Sequence, residues 1–172
     1  MSVHGARLII IALLLALGGC ASAPGPAPLP DIYVVHHLHT PAGATDPDLT
    51  GEGQRVALLL VKWFKRDRPA VIYVSSTKRA QQTAAPLARS LNITPKIYNP
   101  ADTPALIAAV SAETRIVLVV GHSNTVPDIV QRLGGQRPAP LVHEDFGDIW
   151  RIDGRTRATV RSRISSPPSS RH

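Results

Sequence analysis

Read as a string of apolar and polar positions, the chain falls into three zones. An apolar run, Leu8 to Leu17, lies behind a single basic residue, Arg7, and a stretch rich in proline and alanine follows it. From about residue 31 onward, short apolar runs alternate with amphipathic segments. That alternation predicts an α/β domain, a three-layer sandwich whose central sheet is mostly parallel.

The elements can be placed along the chain. "DIYVVHH" is β-branched, bounded by Pro30, and reads as the first strand. "GEGQRVALLLVKWFKR" follows Thr50, a capping residue, and spaces Val56, Leu59, Leu60 and Phe64 as a helix does. "AVIYVSS" is a second strand and "KRAQQTAAPLARSLN" a second helix. "TPALIAAVSA" predicts a short third helix, capped by Thr103 with Pro104 at its first position. "TRIVLVVGHSN" is the most apolar strand and should be central. The helix "TVPDIVQRLGG" follows and closes on a glycine pair. "DIWRIDG" is expected as a final strand at an edge. There is no internal repeat and no nucleotide-binding glycine loop.

The ends of the chain change the picture. A length of 172 residues suits one domain, expected over residues 31–155. The first nineteen residues have the layout of an export signal, too short to stay in a bilayer. "LGGC" resembles the bacterial lipobox, and Cys20 is the only cysteine, so an internal disulfide is impossible. The resemblance implies lipidation of Cys20 and, with Ala21 rather than aspartate behind it, an anchor in the outer membrane. Residues 20–30, "CASAPGPAPLP", hold too many prolines for a helix or ladder and read as a tether. The net charge of +7 is concentrated in the carboxyl-terminal residues. Residues 156–172 are expected as a basic, solvated and disordered tail without assigned function. With export expected, nucleic acid is not assigned as a partner.

In open α/β sheets, ligands sit beyond the carboxyl ends of the strands. Three such ends carry chemistry here: His36, His37 and His39 after the first strand, Ser75 to Arg79 after the second, and Gly121 to Asn124 after the most apolar one. Ser75 and Ser76 read as strand-end caps, because no G-x-S-x-G elbow surrounds them. Trp63, Phe64 and Trp150 read as packing.

The ordered set "YVVHHLHT", "LTGEGQRVA", "VIYVSSTKRAQQTAAPLA" and "VLVVGHSNTVPDIVQRLGG" resembles the histidine phosphatase superfamily, of phosphoglycerate mutase-like fold, over residues 31–153. The resemblance implies a phosphohistidine intermediate formed and hydrolysed without metal or other cofactor. His37 takes the place of the nucleophile, Arg79 that of a phosphate-binding arginine, and His122 that of the second pocket histidine. The chemistry suits the residue types. A neutral imidazole is a nucleophile near pH 7, and a guanidinium offers paired donors to phosphate oxygens. Asn124 and the amides around Thr125, at a helix start, are candidate anion donors.

Two positions depart from the family pattern. His36 stands in place of an arginine and Leu38 in place of a glycine. Either His36, protonated against a bound phosphate, replaces the arginine in part, or the pocket binds phosphate without turnover. Leu38 is expected to crowd the phosphate. Glu52, Asp102 and Asp145 are available acids for the leaving group, with none preferred. A zinc site of His37, His39 and His122 is the remaining alternative. The resemblance implies a phosphorylated small molecule or phosphoprotein as substrate, while oligomeric state stays open.

Overall fold

The computed structural model describes residues 29–164. Its sheet has six strands: β1 (Ile32–His36), β2 (Val71–Ser75), β3 (Lys96–Tyr98), β4 (Val117–Gly121), β5 (Asp148–Ile152) and β6 (Thr159–Arg163), in the order β3-β2-β4-β1-β5-β6. The first four are parallel; β5 runs antiparallel to β1, and β6 antiparallel to β5.

Alternate residues of β1, β2, β4 and β5 feed two separate cores. Tyr33 and Val35 of β1, with Leu118 and Val120 of β4, pack under α1 (Gly51–Trp63) and α2 (Lys78–Leu91). Ile32 and Val34, with Val117 and Val119, pack under α3 (Thr103–Ser111) and α4 (Val126–Arg132). Strands buried on both faces must be apolar throughout, which explains the unbroken runs in β1 and β4. The three-layer α/β expectation holds, and β4 is interior to the sheet. Thr50 caps α1 by accepting from Gly53 N at 3.1 Å.

Four details differ from the sequence reading. The cap of α3 is Asp102, whose Oδ1 accepts from Ala105 N at 3.1 Å, so Thr103 is the first helical residue. The short strand β3 is additional; two of its three residues are exposed, so it has little apolar signal. Strand β5 is not at an edge, because β6 covers it. Finally, the domain runs to Ile164, and the expected disordered tail supplies β6 from its first half. The signal, Cys20 and most of the tether lie outside the described residues.

The reason β6 forms is electrostatic. Asp148, at the start of β5, is sealed from solvent, and a buried carboxylate must find cations. Arg161 holds it with two donors, Nε at 2.9 Å and Nη2 closer still. Arg163 Nε donates to its other oxygen at 2.5 Å. Arg161 and Arg163, expected within a solvated tail, are thus partners of an acid across the ladder.

Replacing both Arg161 and Arg163 by alanine leaves that carboxylate buried without a cation. Both guanidiniums are half exposed, so the expected loss is about 2–4 kcal/mol of unfolding free energy, measured by urea denaturation. Adding Asp148→Asn to the double variant should recover most of it. A double variant within about 0.5 kcal/mol of the parent would contradict this account.

Candidate active site

The site forms where β1, β2 and β4 end side by side. The β1–β4 pairing sets His36 opposite Gly121, and His37 N donates to Gly121 O at 3.1 Å, one step beyond the strand. His37 and His122 therefore leave adjacent strands at the same level, with ring centroids 5.3 Å apart. Two further contacts pin the loop after His37. Leu38 N donates to Thr83 Oγ1 of α2 at 3.0 Å, and Thr50 N donates to His39 O at 2.9 Å. A methyl group on Gly53 would stand 2.5 Å from His39 O, so only glycine lets α1 approach this loop.

A pocket of about 190 Å³ opens there, lined by His37, Arg79, His122, Ser123, Asn124 and His143, with the segment from Thr40 to Pro47 along its rim. It is smaller than the roughly 300–1,000 Å³ usual for whole organic ligands, and suits a charged group more than a large one. A larger groove of about 500 Å³ lies beside α2 and β3, but Arg89 is its one ionisable side chain and no histidine or carboxylate lines it.

The tautomer of His37 follows from its contact. Nδ1 stands 2.9 Å from Leu38 O, and a carbonyl only accepts, so Nδ1 carries the proton and Nε2 keeps the free lone pair. Burial pushes the His37 pKa down to about 3, and His36, His122 and Arg79 push the same way. His122 is pushed down to about 4, by burial first and then by Arg79 and His36. Both rings are therefore neutral at pH 7. The Nε2 of His122 is 2.8 Å from Ser75 Oγ, which is itself 3.0 Å from Thr77 Oγ1. Ser75 thus orients His122, a role that its reading as a strand-end cap missed. Only the register of β2 against β4 brings the two together.

Arg79 lies in the first turn of α2. Its Nη1 donates to Thr45 O at 3.4 Å and to Asp46 Oδ1 at 3.3 Å. These long contacts leave most of the guanidinium's donors available on the pocket wall. Asn124 lines the pocket as expected. The amide of Thr125 does not serve an anion, because it donates to His122 O at 3.0 Å.

The two departures resolve differently. Leu38 is fully buried in the α1–α2 core and does not line the pocket, so it does not crowd a ligand. His36 does not line the pocket either. Its ring is sealed from solvent and stacked on Phe146 at 5.6 Å. Its Nδ1 donates to Asp145 O at 2.9 Å, which leaves Nε2 unprotonated and without a partner. Burial lowers its pKa. The expected role of His36 as a phosphate ligand is not what this geometry offers, because burial disfavours the charged form that would bind.

His39 rests against Phe146, ring centroids 4.7 Å apart, outside the pocket. Among the described residues no three histidine, cysteine or acidic side chains converge as a metal set. None of Glu52, Asp102 and Asp145 lines the pocket. Among the described residues, no helix is long and apolar enough to cross a membrane.

Comparison with known proteins bears on this arrangement. The family model described as histidine phosphatase superfamily (branch 1) matches residues 35–100. The protein histidine phosphatase SixA, solved with tungstate, is 19% identical and superimposes with a TM-score of 0.57 over 78% of this chain and 96% of its own. A mycobacterial glucosyl-3-phosphoglycerate phosphatase complexed with VO3 is 14% identical, with a TM-score of 0.60 over 80% and 100%. A phosphohistidine phosphatase SixA assigned in Agrobacterium tumefaciens is 18% identical, with a TM-score of 0.55 over 80% and 98%. No curated protein matches the chain in sequence. The matched segment carries His37 and Arg79, so over residues 35–100 the chain resembles the histidine phosphatase superfamily, and over most of its described length it shares the fold of these phosphatases.

Proposed function

We propose that this protein is a metal-independent phosphatase that hydrolyses a phosphomonoester or phosphoramidate through a phosphohistidine at His37. The observation that carries the reading is the His37 tautomer. With Nδ1–H held by Leu38 O, Nε2 is a bare, neutral nucleophile in a pocket that also presents Arg79.

The phosphoryl group enters with its oxygens on the Arg79 guanidinium and the Asn124 side chain, and His122, oriented by Ser75, borders it. Nε2 of His37 attacks phosphorus and the leaving group departs. Water then attacks the phosphohistidine and inorganic phosphate leaves. The pocket accommodates the phosphoryl group and little more, so the remainder of the substrate lies outside it. A small ester and a phosphorylated protein side chain are both compatible with that. Two of the structural relatives were solved with tungstate and VO3, oxyanions of the kind this site would take.

One observation favours a second reading, a phosphate-binding protein with impaired turnover. Arg79 is the one permanently charged side chain on the pocket wall, since His36 is buried neutral. Losing one preorganised donor typically costs about a hundredfold to a thousandfold in turnover. Under this reading inorganic phosphate binds the pocket but esters are not cleaved.

We further propose lipidation at Cys20 and anchoring at the periplasmic face of the outer membrane, on the strength of the Leu17 to Cys20 motif behind an apolar leader. Expressed with its leader in a bacterial host, the protein should take up radiolabelled palmitate and fractionate with outer membrane. The Cys20→Ser variant should lose the label; label retained in that variant would refute the anchor.

Hydrolysis of p-nitrophenyl phosphate by the purified protein should survive EDTA and vanish in His37→Ala. Arg79→Ala should lose about 10²–10³ in kcat/KM. Activity equal in parent and His37→Ala would sink the phosphatase reading, and phosphate binding without turnover would select the second.

The pH profile is a separate test. Protonation removes the nucleophile, and His37 is held down to about 3. The value of kcat/KM, corrected for ionisation of the ester, should therefore stay level as pH falls from 7 to about 5. A fall centred near the reference histidine pKa of about 6.5 would show an unshifted nucleophile instead.

A further inference from the structure

Four ionisable side chains line the pocket, and three have roles in the chemistry above: His37, Arg79 and His122. The fourth is His143, in the connection between α4 and β5. Its ring packs edge-on against Phe146, centroids 4.8 Å apart. That phenyl group also stacks on His36 and borders His37 at 5.8 Å. The Nε2 of His143 is buried and has no hydrogen-bond partner. A buried polar nitrogen left unmatched is uncommon and calls for a ligand or a reaction to explain it.

The segment carrying His143 is held in place. Val142 N donates to Asp145 Oδ2 at 2.9 Å and Asp145 N to Val142 O at 3.2 Å, closing a tight turn around the histidine. Arg163 of β6 clamps the same aspartate at 3.0 Å. His143 is thus presented to the pocket by a braced turn rather than by a free loop.

Cleavage of an ester with a basic leaving group needs a proton donor. Among the described residues no carboxylate lines this pocket, and Asp46, in the rim segment, is engaged by Lys78 N at 3.0 Å and Arg79 Nη1 at 3.3 Å. A guanidinium such as that of Arg79 serves as a hydrogen-bond donor to phosphate and not as a source of protons. His37 is the nucleophile. His122 is held neutral by burial, and its Nε2 is engaged by Ser75 while its Nδ1 is buried. The remaining ionisable side chain on the wall is His143.

We propose that His143 is the general acid of this site, protonating the leaving-group oxygen as the phosphoryl group passes to His37. The proposal rests on the phosphatase reading above. In the first step the bond from phosphorus to the ester oxygen breaks and the bond from phosphorus to His37 Nε2 forms. A proton moves from an imidazole nitrogen of His143 to the departing oxygen, so an alcohol leaves rather than an alkoxide. In the second step water attacks phosphorus, the P–N bond breaks, and neutral His143 takes the proton that water loses. Inorganic phosphate departs and His143 is protonated again for the next turn. The net reaction consumes one water and needs no other reactant.

A donor matters in proportion to the basicity of the leaving group, which separates this role from a structural one. The test compares kcat/KM of the full-length protein and its His143→Asn variant on p-nitrophenyl phosphate and on phenyl phosphate. On p-nitrophenyl phosphate, whose leaving group needs little help, the variant should lose no more than about tenfold. On phenyl phosphate it should lose about a hundredfold or more. His143→Asp, which restores a proton carrier, should recover part of the loss on phenyl phosphate alone. Circular dichroism and the thermal unfolding midpoint of the variant, each unchanged from the parent, are the control for folding. Equal losses on both esters, or no loss on phenyl phosphate, would overturn the role of His143 while leaving the phosphatase reading intact. If the parent cleaves neither ester faster than His37→Ala, the phosphatase reading falls and the assignment of His143 falls with it.

Discussion

The parallel pairing of β1 with β4 is the constraint on which the site depends. Both strands are apolar on both faces because helices cover both sides of the sheet, and their register admits no slip without turning every residue to the wrong core. Chemistry can be placed only where such strands stop. The pairing continues one residue past β1, through His37 N and Gly121 O, and so sets the levels of His37 and His122. The pairing of β2 with β4 then delivers Ser75 to His122. Three functional groups owe their relative positions to two backbone ladders.

Burial shapes the electrostatics of that place. His36, His37 and His122 are crowded together and largely removed from water, so each is held neutral. A pocket in which His37 and His122 are held neutral beside one guanidinium differs from one built on several permanent cations. Desolvation weakens its attraction for any anion and at the same time keeps Nε2 of His37 unprotonated. His36 is the clearest instance. At a position where a cation would reach toward the ligand, the imidazole instead packs on Phe146 and bonds to Asp145 O.

The carboxyl-terminal hairpin connects the scaffold to the pocket. Asp148 draws Arg161 and Arg163 onto β5, and Arg163 also reaches Asp145, the residue that closes the turn around His143. A buried carboxylate in a strand thus both completes the sheet and braces one wall of the pocket. Phe146, between the two acids, meets the rings of His36, His37, His39 and His143.

Much of this was legible in the residues. Apolar runs and amphipathic segments were enough for the α/β class, for the central place of β4, for the α1 cap at Thr50, and for the order in which His37, Arg79 and His122 leave the sheet. These are local properties, dictated by side-chain period, by capping chemistry and by what a doubly covered strand must be made of. Tertiary structure alone decided which way Leu38 and His36 face, that Ser75 serves His122, that His143 shares the pocket, and that basic residues near the carboxyl end form a strand. Each of those outcomes depends on a partner distant along the chain. His36 meets Asp145, Ser75 meets His122, and Arg161 meets Asp148. The free energy of a buried polar group is set by the neighbour that satisfies it, and a linear sequence does not say which neighbour that will be.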